Sequence, residues 1–143
     1  EEMQNNLIFL PVLVNIALVF VLYIRLAKSK AKAIKQGEVD QSRRALHDDA
    51  WPDSVRKINN CIRNQFELPV LFYVLIFILW AMEFTNLYVQ LVAWAFVFSR
   101  IAHAGIHTGS NYVPHRKKIF TFGCILLILL TSFIFASILF QAF

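Results

Sequence analysis

Charge is what this sequence has least of. Only 16% of its 143 residues are Asp, Glu, Lys or Arg, while 58% are hydrophobic. A soluble domain of this length carries more charge, so a surface solvated on all sides is excluded. Cysteine is scarce too. Cys61 and Cys124 are the two present, with no CxxC, no zinc-ligand spacing and nothing resembling a disulfide framework. There is no N-x-[ST] sequon, no internal repeat and no low-complexity stretch. The polar–apolar alternation of a membrane barrel is absent as well. The chain is too short for a second core, so one domain is expected over residues 1–143.

What the sequence does have is long apolar runs. A spanning helix needs about 20 mostly apolar residues. Leu7 to Ile24 supplies one run, broken in polarity only by Asn15. It follows Glu1 and Glu2 rather than a basic segment and no small-residue cleavage site follows it, so it reads as a span and not a signal peptide. The runs beginning at Leu68 and Leu87 extend into helical sequence on one side, and Ile119 to Phe143 carries no charge. Only helices can satisfy this much backbone in lipid without closing a barrel. The expected fold class is an all-α integral membrane protein, a four-helix transmembrane bundle. Its spans fall at about 5–27, 56–83, 86–108 and 115–142, and a polar loop covers about 28–55.

The cations orient the bundle. Ten of the fourteen Lys and Arg lie between Arg25 and Arg63, and the rest are Arg100, Arg116, Lys117 and Lys118. All belong to the side of the first and third loops. Glu1, Glu2 and Glu83 belong to the other. The positive-inside rule then places both termini exoplasmic and loops 1–2 and 3–4 cytosolic. The same rule accounts for the net charge of +5, so no nucleic-acid partner is expected.

The long loop has internal punctuation. Lys28 to Lys35 continues the first helix and Gly37 ends it. Pro52, Asp53 and Ser54 look like a helix start. The second helix is then longer than the hydrocarbon core is thick, so its first turns stand in the headgroup region. Pro69 is expected to kink it.

Two helices carry polar groups where lipid-facing helices should not. Asn60, Asn64 and Glu67 are spaced i, i+4, i+7 in the second span, with Arg63 one turn before Glu67. Arg100, His103 and His107 are spaced i, i+3, i+7 in the third. Asn111, His115 and Arg116 follow near the start of the fourth, where Pro114 suits a first turn. Taken singly, Arg63 and Glu67 could pair along one helix and Arg100 could snorkel to headgroups. Taken together, at one depth, they predict a polar pocket suited to an anionic ligand. His103, His107 and Glu67, with His115 in reach, form a lower-ranked metal alternative. Cys124 reads as core, and nothing marks Cys61 as activated.

The segment Arg63-Asn-Gln-Phe-Glu67-Leu-Pro69 resembles the second-helix signature of the MAPEG family, the membrane-associated proteins in eicosanoid and glutathione metabolism. The segment from Arg100-Ile-Ala-His103 through Pro114-His-Arg116 resembles that family's third-helix signature, and is most similar to a poorly characterised bacterial branch. The resemblance covers nearly the whole chain. It implies a homotrimer in a bacterial inner membrane, with glutathione bound near the cytosolic face and a lipophilic small molecule as second substrate. Carried over by position, Arg63, Asn64, Glu67 and His103 would contact glutathione, with Arg100 and His107 beside them in the predicted pocket. Arg116 would stabilise its thiolate, the catalytic role. The chain departs from the family's pattern at Asn60, where the studied enzymes have arginine, and at His107, where a tyrosine is common; Lys117 and Phe120 replace a serine and a tyrosine seen in one prostaglandin synthase. Three readings follow: a glutathione transferase or peroxidase, a non-catalytic scaffold or accessory subunit of a larger membrane complex, and a metal-binding membrane protein.

Overall fold

The computed structural model describes residues 2–141, with side chains from Gln4 onward. Six α-helices and one short turn of 3-10 helix make up the fold: α1 (Glu2–Asn6), α2 (Phe9–Lys35), the turn Asp48–Ala50, α3 (Asp53–Gln65), α4 (Leu68–Ala81), α5 (Leu87–Thr108) and α6 (Val113–Gln141). Four stretches are long and apolar enough to cross a bilayer: Gln4–Lys35, Asp53–Ala81, Leu87–Thr108 and Val113–Gln141. The expected end of the fourth span, at 142, lies outside the described residues.

The helix boundaries follow from local chemistry. The carbonyls at the end of α2 are closed by Gly37, whose N–H donates to Ile34, and by Glu38, whose N–H donates to Ala33. This double closure needs a left-handed residue between them, and Gly37 supplies φ = 72°. At the end of α4 the same pattern recurs: Glu83 donates to Trp80 and Phe84 to Leu79. There the left-handed position is held by Glu83 at φ = 58°. The start of α5 is capped by Asn86, whose side chain accepts from the Val89 amide at 3.0 Å.

The second span is broken rather than kinked. Proline at 69 has no N–H, and its ring cannot sit against the carbonyl of residue 65. The chain answers four residues upstream. Phe66 and Glu67 turn back onto Arg63 and Asn64 with tight i−3 bonds, and Glu67 leaves helical geometry at ψ = −103°. The result is two helices in one span, a polar α3 and an apolar α4.

Packing makes α5 the central helix. Half of its most apolar window is buried within the chain, against 28% in each of the other spans. It packs against α6, α2 and α3, while α4 leans on α6. One apolar core joins Phe72, Ile76, Phe96, Leu130 and their neighbours at the end that holds the α4–α5 turn. A second joins Leu22, Leu26, Val55, Ile58 and Ala104 at the cation-rich end. Asn15, fully buried in mid-α2, donates from Nδ2 to the Tyr73 hydroxyl at 2.7 Å, an interhelical bond of the kind that membrane interiors favour. Thr85 Oγ1 donates to Asn5 Oδ1 at 2.6 Å and Trp80 Nε1 to Asn6 Oδ1 at 2.8 Å, fixing α1 to the α4–α5 turn.

Candidate functional site

The polar residues converge at the cation-rich end of the bundle. A pocket of about 610 Å³ opens between α3, α5 and α6. Asn60, Arg63, Asn64 and Glu67 line it from α3 and the break that follows. His103 and His107 line it from α5, and Val113, Arg116, Lys117 and Phe120 from α6. Its volume falls in the range of about 300–1,000 Å³ usual for small-molecule sites. Three cations and one carboxylate face it, so its field favours an anion.

Each wall is held in place by a contact that crosses helices or closes a turn. Asn64 Nδ2 donates to Nδ1 of His107 at 3.3 Å, tying α3 to α5. His103 and His107 pack edge to face, with ring centres 5.5 Å apart. Lys57 Nζ reaches the Gly109 carbonyl at 3.2 Å, which holds the α5–α6 turn against α3. In that turn Asn111 adopts φ = 52°, a conformation asparagine tolerates. Its Oδ1 accepts from Arg116 Nη1 at 2.6 Å. The catalytic candidate is thereby aimed by the loop that precedes its own helix.

Several expectations change. Arg63 does not pair with Glu67. The helix break separates them, and Arg63 donates to Asp48 at 2.5 Å instead. Arg100 neither lines the pocket nor snorkels. It is 1% exposed, one turn deeper than His103. Its guanidinium carbon lies 5.5 Å from the rings of both Phe96 and Phe120. Nη2 reaches only the Ile119 carbonyl, at 3.5 Å, and Nε has no partner among the described residues. The metal alternative is not assembled: no group of three His, Cys, Asp or Glu converges to hold an ion among the described residues. His107 Nδ1 is already engaged by Asn64. His115 stacks on Tyr112, with ring centres 4.8 Å apart, and does not line the pocket.

Two contributors carry no signal in helical spacing alone. Gly123 on α6 makes room for Arg100, because a Cβ there would lie 2.8 Å from Nη2. Asp48, distant in sequence and in the long loop, sets where Arg63 points.

The fold and site thus define a four-span integral membrane protein with a cationic pocket at one end of the bundle. Residues 8–136 match the MAPEG family, and the chain belongs to it. No curated protein and no solved structure matches the chain.

Proposed function

We propose that the pocket binds glutathione and that the protein adds its thiolate to lipophilic electrophiles, or reduces lipid hydroperoxides with it. The observation that carries this reading is the convergence of Asn64, Glu67, His103, His107 and Arg116 from three helices on one cavity. Glutathione presents two carboxylates, an ammonium and a thiol. Arg63 and Lys117 suit the carboxylates, and Glu67 suits the ammonium. Arg116, aimed by Asn111, favours the thiolate over the thiol, since a nearby cation stabilises the anionic nucleophile. In a transfer the thiolate sulfur bonds to the electrophilic carbon and the leaving group departs with the displaced electron pair. The second substrate enters from lipid, and glutathione from the cation-rich side, which this reading takes as cytosolic. A homotrimer completes the assembly, covering apolar faces such as that of Leu71, Val74 and Phe77 on α4.

The test is a turnover assay on the purified protein with a chloronitrobenzene and a lipid hydroperoxide, beside calorimetric titration of glutathione. Arg116→Ala should keep glutathione binding within a few-fold and lose about 10²–10³ in kcat. Absence of glutathione binding, or activity equal to that of the variant, overturns the reading.

A second reading is a scaffold or accessory subunit. It is favoured by departures inside this same pocket: Asn60 and His107 from the family's pattern, and Lys117 and Phe120 from one prostaglandin synthase of the family. It requires stable co-purification with a larger complex, and recovery of the native protein as a lone oligomer counts against it.

A further inference from the structure

Beside the pocket lies a second, smaller cavity of about 250 Å³, more enclosed than the first and walled by different chemistry. Lys30 comes from α2 and Trp51 from the long loop. Arg56 and Asn59 come from α3. Asn60 and Arg63 form the partition shared with the first pocket.

Its charge is strongly unbalanced. Three cations face it, with Asp48 as the carboxylate that lines it, and Asp48 is engaged by Arg63. Arg56 also reaches Asp53 at 3.3 Å, but both side chains are well exposed and such a pair holds little. Lys30 stands 5.0 Å above the ring of Trp51, so a flat aromatic face positions its ammonium. Asn59 and Asn60 add amide donors. Val55, fully buried, adds an apolar floor.

Its depth is equally informative. Lys30 lies about 31 Å along α2 from Phe9. The hydrocarbon core is about 30 Å thick. That length matches one hydrocarbon core, which supports a place for the cavity near the lipid phosphates, where an interfacial tryptophan such as Trp51 is expected.

We propose that this second cavity is a phosphate-ester site, taking the phosphate of an anionic lipid headgroup or of a soluble phosphomonoester. Lys30 and Arg56 supply the charge and Asn59 the neighbouring donor. The residues that carry the proposal, Lys30, Arg56 and Asn59, lie outside the larger pocket, which shares only Asn60 and Arg63 with this cavity.

The test uses the full chain in nanodiscs of phosphatidylcholine with a minor fraction of phosphatidic acid, with retained lipid counted by native mass spectrometry. A parallel arm titrates glycerol 3-phosphate into protein in detergent. The pocket pair Lys30→Gln/Arg56→Gln is compared with Lys32→Gln/Lys35→Gln, which removes the same charge from exposed positions of α2 outside the cavity. Retention of phosphatidic acid should fall about tenfold or more in the pocket pair and less than twofold in the control pair. Asn59→Asp, which adds a carboxylate to the cavity, should abolish binding with the melting temperature of the wild type. Lipid retention without a glycerol phosphate response identifies a headgroup. A saturable glycerol phosphate response lost in the pocket variants identifies a soluble ester. Equal losses in the two pairs, no loss in either, or wild-type binding by Asn59→Asp overturns the proposal.

Discussion

Asn64 on α3 and His107 on α5 lie 43 positions apart, and their side chains meet at 3.3 Å on the wall of the larger pocket. The amide nitrogen can only donate, so Nδ1 of His107 accepts and its proton belongs on Nε2. Asn64→Leu strips the buried ring nitrogen of this partner. A loss of about 1–3 kcal/mol in unfolding free energy is expected. In a double-mutant cycle with His107→Leu the two losses should fall short of additive by about 0.5 kcal/mol or more. Additive losses in thermal unfolding would show that the contact does not couple the helices.

Asp48 holds Arg63 from outside the pocket. Both side chains are more than half exposed, so the pair contributes at most about 1 kcal/mol to stability. Its consequence is directional instead. Asp48→Asn should leave unfolding nearly unchanged while tightening glutathione several-fold, because Arg63 is then free to turn to the ligand. Calorimetry on the variant checks this, and weaker binding would contradict it.

Gly123 and Arg100 are matched in size. Gly123→Ala pushes a methyl into the guanidinium, and a loss of about 1–3 kcal/mol is expected from overpacking. Arg100→Met removes a buried cation that has one long hydrogen bond, so it should be neutral or stabilising. It should also relieve most of the Gly123→Ala penalty. Thermal melts of the two single variants and the double variant decide the matter.

Glu83 pays for closing α4 in a left-handed conformation. Glu83→Gly should raise stability by about 1 kcal/mol, as a glycine meets no Cβ penalty there. Glu83→Ala should not, since alanine keeps that penalty.

The long loop is expected to respond to acid. The Ser42 hydroxyl holds the Asp40 carboxyl below its ordinary value, with Arg43 nearby. A hydrogen bond from Arg43 does the same for Asp49. Depressed folded-state values stabilise the loop above the ordinary carboxylate range. That contribution fades as pH falls through the folded values, below about pH 4. Proteolysis or hydrogen exchange over residues 36–52 should therefore rise in that acid window while the spans stay protected. Loosening at neutral pH would contradict the assignment.

Much of this architecture is legible in the sequence because bilayer thickness constrains it so strongly. Runs such as Leu7 to Ile24 can do little but span. The pocket-facing set on α3 and α5 follows from 3.6-residue periodicity, which placed Asn64, Glu67, His103 and His107 on converging faces. Periodicity fails where the helix does. Arg63 and Glu67 look like neighbours until Pro69 interrupts the helix between them. Depth is also hidden: Arg100 shares a face with His103, yet one turn and a missing side chain at Gly123 turn it inward. Asp48 could not be found by spacing, because its partner lies 15 residues away across a loop.

The interruption before Pro69 has a consequence for the membrane itself. Measured from the break, α4 offers only about 21 Å of apolar length, well short of an average hydrocarbon core. Glu67 and the base of the larger pocket are then expected below the lipid phosphates, with local thinning of the bilayer or water reaching that level. Occupancy of the pocket should then vary with acyl-chain length. Short-chain lipids would leave it open to water, and long-chain lipids would bury its mouth.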